Sequence, residues 1–383
     1  MANQAVDRMK KAKESLEEGG EPKYRRIAET LRESILTGDY PPGARLPSET
    51  ELVRRFGVSR MTIVKAIKDL QQEGHVTRRV GSGTYVRRPA EQTGRLFGLL
   101  IPELGQTEIF EPICQGMASY RSNGQHSLLW GNGQEGSQPK EKVAEELCQQ
   151  YIAQKVAGVF FAPLELTPVK DEVNKRIVSS LQRAGIPVVL LDRGLEPYPN
   201  PSQYDLVGID NRRTAYTATM HLARAGAQRI GFWGKEFSAA TVDARIAGYC
   251  EALMAAGRNF SRELVVRGDP SDLDVAQKVI QQTRADGFVC ANDHTAAMLM
   301  QSLVRLGRRV PEDVRIIGVD DVKYASLLSI PLTTMHQPCV ELGQVAMSTM
   351  LSRLENPNFP ARETLLSCRL VLRQSCGAAS ATD

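Results

Sequence analysis

Between residues 46 and 86 the spacing of apolar positions changes twice, and each change marks an element. Leu52, Val53 and Phe56 make one apolar side of a short helix. Pro47 and Ser48 open it, with Ser48 and Glu51 in the S-x-x-E pattern of a capping box. Gly57 stops it, since glycine takes the left-handed backbone a helix end requires. Ser59 caps a second helix, where Ile63, Ile67 and Leu70 recur at four- and three-residue steps, and Gly74 ends that one. Residues 75–79 and 84–87 then alternate as two short strands around Gly81-Ser82-Gly83, a tight hairpin. Helix, turn, helix and β-wing predict a winged helix-turn-helix. Its second helix leaves Arg60, Met61, Lys65, Lys68 and Asp69 off the buried face. In such folds the first turn of this helix, here Ser59, Arg60 and Thr62, enters the DNA major groove. Arginine grips guanine in a bidentate way there, and serine or threonine reaches bases or phosphates. Arg78, Arg79, Arg87 and Arg88 flank the hairpin. The alternative is a small helical domain with an ordinary charged surface, which leaves the turn-helix spacing and the Gly-tipped hairpin without a reason.

From residue 95 the texture differs. Short apolar runs, at 96–101, 127–131, 158–163, 187–192, 206–210, 229–234, 264–269, 287–292, 314–320 and 332–337, are separated by amphipathic stretches such as 140–154, 214–225 and 294–306. Apolar strands with little alternation, separated by helices, predict parallel sheet covered on both faces. The polar, Pro-rich loop 193–204 interrupts the alternation and favours two Rossmann-like lobes with a cleft between them. The expected chain crossings lie near Ile209, Gln337 and Pro357, with 363–373 returning to strand. The domain plan is therefore a flexible lead-in (1–22), a winged helix-turn-helix (23–88), a linker (89–94) and a two-lobed α/β domain (95–383).

Ligands of open parallel sheets bind beyond the carboxyl ends of the strands. Those ends carry Asp192-Arg193, Asn292-Asp293, Asp320-Asp321 and His336-Gln337, with Arg245 in the helix after 229–234. Carboxylates, amides and guanidinium forks suit a small neutral molecule rich in hydroxyls, because each hydroxyl both donates and accepts. Phe110, in the loop after the first strand, offers a flat apolar face for a sugar ring. The competing role for such Asp and Asn residues is helix capping, and this is the preferred reading for Asp293. For Asp320 the two roles are evenly weighted, and for Arg245 the competing role is a salt bridge.

Charge sharpens this division. The chain has a net charge of +4, but residues 23–88 hold 14 Lys/Arg and 7 Asp/Glu, leaving 34 basic and 37 acidic residues elsewhere. The positive excess thus sits on the expected DNA reader, as phosphate binding demands. No stretch approaches the ~18 apolar residues of a membrane span, and the N-terminal residues lack the apolar core of a signal peptide. The seven cysteines form no C-x-x-C pair, which predicts a reducing cytoplasm, no disulfides and no metal. No Walker A, G-x-S-x-G or H-E-x-x-H motif is present, the five histidines are scattered, and neither an enzyme nor a cofactor is expected. A transport solute-binding protein is the distant alternative, but it has no use for a winged domain.

The phrases GDYPPGARLPSETEL, FGVSRMTI and GSGTYV resemble the DNA-binding domain of GntR-family bacterial regulators. That resemblance implies that Arg45, Thr50, Ser59, Arg60, Thr62 and Gly81 approach DNA, with Lys65 beside them. The family commonly has Arg two residues after Thr62, where this chain has Val64. The phrases VVLLDR, VGIDNRRTAYTATMHLARAGAQRIGFWG, RIAGY, VCANDHTA and VRIIGVDD resemble the effector domain of the LacI/GalR family and the periplasmic sugar-binding proteins (type I). By this resemblance Asp192 and Arg193 serve one lobe's side of a sugar, and Arg245, Asn292, Asp320 and Gln337 serve the other side and its hinge. The Asp-Arg pair is similar to that of pentose binders, and the combined layout resembles AraR-type, arabinose-responsive repressors. What this implies is a homodimeric repressor of carbohydrate-utilisation genes, released from an inverted-repeat operator by a monosaccharide, pentose ahead of hexose or purine. Ligand-enhanced DNA binding is the alternative sign.

Overall fold

The computed structural model describes residues 22–41, 43–73, 75–79, 83–86, 94–101, 108–120, 126–131 and 138–377. These fall into two compact units that meet in sequence between Gly94 and Arg95. The expected lead-in, the linker, Gly74 and Gly81 lie outside the described residues, apart from Pro22 and Gly94.

In the first unit, helices α1 (Lys23–Leu36), α2 (Glu49–Phe56) and α3 (Arg60–Gln72) precede strands β1 (Val76–Arg79) and β2 (Gly83–Val86), which pair antiparallel. Ser48 accepts a hydrogen bond from the Glu51 backbone N–H, and Gly57 closes α2 at φ 67°. Ser59 caps α3 by accepting from the Thr62 N–H. The helix starts and stops are thus satisfied where the sequence placed capping residues. Ile27, Leu31, Leu52, Phe56, Ile63, Ile67 and Leu70 fill the core of this small unit together with Val76 and Val86 of the wing.

The second unit holds two six-stranded sheets. The strands of the first are β3 (Arg95–Leu100), β4 (His126–Trp130), β5 (Gly158–Phe161), β6 (Val188–Leu191), β7 (Asp205–Ile209) and β13 (Glu363–Leu366). Those of the second are β8 (Ile230–Gly234), β9 (Val265–Arg267), β10 (Gly287–Cys290), β11 (Arg315–Asp320), β12 (Thr333–His336) and β14 (Arg369–Val371). The spatial orders are β13-β7-β6-β5-β3-β4 and β14-β12-β11-β10-β8-β9. Every pair is parallel except β12 with β14. Each apolar run named above is a strand. Runs such as β5, β6 and β10 are buried throughout, because helices cover both faces.

Helices α4 (Phe110–Ser119), α5 (Lys140–Ala153), α6 (Lys170–Arg183) and α11 (Cys339–Glu355) cover the first sheet, and α7 (Asn211–Arg224), α8 (Ala240–Ala255), α9 (Leu273–Thr283) and α10 (Asp293–Arg305) the second. Two helix pairs meet backbone to backbone. A Cβ at Gly248 of α8 would stand 1.9 Å from the Arg212 carbonyl oxygen of α7, and one at Gly343 of α11 would stand 2.0 Å from the Ile113 carbonyl oxygen of α4.

The chain passes between lobes after Ile209 and at Gln337. The third passage is not near Pro357: β13 pairs with β7 of the first sheet and β14 with β12 of the second, so the chain crosses at Ser367-Cys368. Residues 363–373 are therefore two strands in two sheets. Among the described residues, no helix is long and apolar enough to cross a membrane.

Candidate functional site

On the first unit, the residues expected at DNA sit on α2, α3 and the adjoining loop and wing. Thr50, Ser59, Arg60 and Lys65 are exposed. The Ser59 and Thr62 hydroxyls lie 2.8 Å apart and share a hydrogen bond, so the cap also orients the first turn of α3. The Lys65 ammonium stands 3.9 Å from the centre of the Tyr24 ring, a cation–π contact that holds its stem along α1. Arg45 joins the wing through a bridge to Tyr85, and its guanidinium packs so closely on Gly83, at φ +116°, that a Cβ there would meet Nε at 2.8 Å. Glu49 is an addition that no spacing rule picks out. Its carboxylate accepts from Arg60 (3.1 Å) and from Arg78 of the wing (2.8 Å), tying the first turns of α2 and α3 to β1. Residues that spacing placed separately are thereby brought together around one carboxylate.

In the second unit, the loops after β5, β6, β8, β10, β11 and β12 surround one cavity of about 290 Å³. Asp192, Arg193, Arg245, Asn292, Asp320 and Gln337 all line it, together with Glu165, Lys235, Thr241, His294 and Tyr324, which the strand-end rule did not reach. Phe110 does not line it. The ring is 2% exposed, packed in the core at the start of α4, with the Arg193 guanidinium 5.8 Å from its centre. The reason is that 110 begins a helix rather than standing in a loop, so its ring supports Arg193 instead of offering a face to a ligand.

On the first lobe's side, Arg193 is clasped between two carboxylates. It donates to Asp192 (3.1 Å) and pairs with Glu165. Burial alone would push the Glu165 carboxyl up, but the Arg193 charge and the Ala239 backbone N–H together hold it below the usual carboxylate range. Asp192 stands at φ 67°, a left-handed conformation uncommon outside glycine, which re-aims the chain as it leaves β6. Two hydrogen bonds reach across the cleft: the Ala239 N–H donates to Glu165 Oε2 (3.1 Å), and the Leu166 N–H donates to the Phe237 carbonyl (2.7 Å).

On the second lobe's side, Arg245 donates to Asn211 Oδ1 (2.7 Å) and to the Ala291 carbonyl, so it is fixed by the first crossing and by the end of β10. Asn292 caps α10, accepting from the Thr295 N–H at 2.8 Å. The capping role therefore belongs to Asn292 and not to Asp293. Asp293 is fully buried, accepting from the Thr334 hydroxyl (2.5 Å) and the Val322 N–H (3.1 Å). Burial first, and then the nearby Asp320 charge, push its carboxyl well up. It fastens β11 to β12, because its helix begins one residue earlier than a cap at 293 would require. Asp320, at φ 128°, accepts from Gln337 Nε2 (2.6 Å). Burial raises its carboxyl to about 7; Arg245 opposes that rise, while Asp192 and Glu165 add to it. The other amide atom of that pair, Gln337 Oε1, is buried without a hydrogen-bond partner. Asp321 and His336 face each other (2.9 Å), with Arg373 on the same carboxylate (2.6 Å); neither lines the cavity.

Residues 23–86 match the family model of bacterial regulatory proteins of the gntR family, and residues 219–376 match that of the periplasmic binding protein-like domain. The chain is similar to an "Arabinose metabolism transcriptional repressor" of Geobacillus stearothermophilus, 27% identical over 87% of this chain and 92% of that one. Among solved structures it resembles the transcription regulator CcpA of Lactococcus lactis (TM-score 0.63, 22% identity, 74% of this chain and 99% of that one). It also resembles a LacI family transcriptional regulator of Enterococcus faecalis V583 with bound ribose (TM-score 0.58, 25% identity, 73% of this chain and 98% of that one). The two matched domains and these relatives are those of transcriptional regulators with a DNA-binding domain. The chain thus joins a GntR-type DNA-binding domain to a periplasmic-binding-protein-like domain, and the arabinose repressor it is similar to aligns with it across both.

Proposed function

We propose that the protein represses carbohydrate-utilisation genes and is released from its operator by a monosaccharide, a pentose ahead of a hexose. In this reading residues 23–88 read DNA through Arg45, Thr50, Ser59, Arg60, Thr62 and Lys65. Residues 89–94 join them to an effector-binding and dimerising domain at 95–383. The observation that carries the effector reading is the cavity lining. Carboxylates (Asp192, Asp320, Glu165) alternate with guanidinium groups (Arg193, Arg245) and amides (Asn292, Gln337), all held by neighbours in fixed positions. Such a set matches hydroxyls that donate and accept at once. The unpartnered Gln337 Oε1 calls for a donor, and a hydroxyl supplies one. A volume of about 290 Å³ lies at the small end of ligand pockets, which fits one sugar ring. The relative named for arabinose metabolism and the ribose-bound neighbour support the same class.

Two identical readers related by a two-fold axis suit an inverted-repeat operator, so the working unit is a homodimer. A thermal-shift screen of pentoses, hexoses and purine bases tests the effector class. A bound effector at a hundredfold excess over Kd stabilises the native state by ~2.7 kcal/mol. Pentoses should raise the melting temperature most; a shift with purines and none with sugars would refute the assignment.

A further inference from the structure

Met61 is 77% exposed, although methionine is among the residues most often buried. Its position on α3 gives that exposure a direction. At about 100° per residue, the core-facing positions Ile63, Ala66, Ile67 and Leu70 point one way, and Met61 lies almost diametrically opposite, between Lys65 and Lys68 around the helix axis. Arg60 precedes it in the same first turn, with a side chain also 77% exposed, held by Glu49. The outward face of the reading helix is thus an arc of cations with one large apolar group at its centre. The cations match phosphates and base acceptors, but a thioether has no such partner. The apolar feature that the major groove presents is the C5-methyl of thymine.

We propose that Met61 reads a thymine methyl in each half-site of the operator, adding sequence preference beside the base contact of Arg60 while the lysines supply grip. Val64, half-buried one turn further on at the position where an arginine is common in the family, adds a second apolar contact to the same side of the helix. This half of the helix then favours thymine-bearing steps over guanine. The inference rests on the assignment of α3 to the major groove.

The test uses the full-length protein. Duplexes are selected from a randomised DNA pool, and the affinity of the selected duplex is measured with each symmetry-related pair of thymines replaced by uracil, which deletes only the methyl. Wild type should weaken at one pair of positions by about fourfold per methyl, on the order of fifteenfold for the pair. Met61→Ala should bind the unmodified duplex as weakly as wild type binds the uracil duplex, and should lose the distinction between thymine and uracil at those positions. Met61→Leu should keep it. The side chain is outside the core, so all three proteins should melt alike. Insensitivity of wild type to uracil everywhere, or equal sensitivity in Met61→Ala, overturns the proposal. Failure of the pool to yield any specific duplex overturns it together with the assignment of α3 to DNA.

Discussion

Glu165, in the loop after β5, accepts a hydrogen bond from the backbone N–H of Ala239 at the start of α8, 3.1 Å away in the opposite lobe. The same carboxylate pairs with Arg193, which lines the cavity. One side chain therefore touches both the candidate effector site and one of the contacts between the lobes. In the proposed function, a ligand that engages Arg193 together with groups of the second lobe favours the closed cleft. Only this difference in affinity between closed and open forms can shift their populations.

Glu165→Ala removes one of the two hydrogen bonds between the lobes, leaving that from Leu166 to Phe237, and frees Arg193 from one of its two carboxylates. Hydrogen bonds to charged groups contribute about 1.5–3 kcal/mol, so the effector Kd should rise by tenfold or more while operator affinity without effector stays the same. Titration calorimetry with the sugar, beside an operator-binding curve, checks both halves. An unchanged sugar Kd would mean that the contact plays no part in closure.

Asp320 should leave a signature in the pH dependence of stability. Its carboxyl is raised to about 7 by burial, against an ordinary value near 3.8. Between those limits the folded state holds a proton that the unfolded chain has released. Stability from this group is therefore greatest at acid pH and declines as pH rises toward 7. Asp320→Asn keeps the shape and lacks the ionisation. Relative to wild type its stability should gain on the order of 2 kcal/mol between pH 4 and 8, after allowance for the cavity's access to solvent. Urea unfolding at a series of pH values measures it; parallel curves for the two proteins would contradict the assignment.

Arg60→Ala should cost about 1–3 kcal/mol at a specific operator and much less on scrambled DNA, as expected for a base contact. Gel shifts on both sequences decide the matter. Equal losses would place Arg60 on phosphate.

Gly248→Ala tests the packing that positions Arg245. With a Cβ 1.9 Å from the Arg212 carbonyl, α7 and α8 must separate, at a cost of about 1–3 kcal/mol. Because Arg245 lies on α8 and bonds Asn211 at the start of α7, sugar affinity should fall with stability. Thermal melts and calorimetry should move together.

Much of this architecture was legible in the sequence, for definite reasons. Buried parallel strands leave unbroken apolar runs, and caps leave Ser48, Gly57 and Ser59 at fixed offsets, so the elements could be placed from local pattern alone. The crossing at Ser367-Cys368 was not legible, because β13 and β14 adjoin with no change of texture between them. Phe110 was misplaced for want of a helix boundary: a loop and a first helical turn look alike in the PELGQTEIFEPI stretch. The site residues directly after strand ends could be found by the strand-end rule. Glu165 stands four residues beyond β5, where only the folded loop brings it to Arg193 and Ala239. Glu49 was hidden similarly, since its partners Arg60 and Arg78 are 11 and 29 residues away.

In the proposed function, a sugar in the cleft of the second unit opposes DNA binding by the first. The direct measurement is the affinity of a fluorescently labelled selected operator for the full-length protein, by anisotropy, with and without a saturating pentose identified in the thermal-shift screen. Operator affinity should fall with the sugar, and sugar affinity should fall by the same factor when operator is present, because the coupling is reciprocal. Operator affinity that stays constant or rises with a sugar that demonstrably binds would contradict the account.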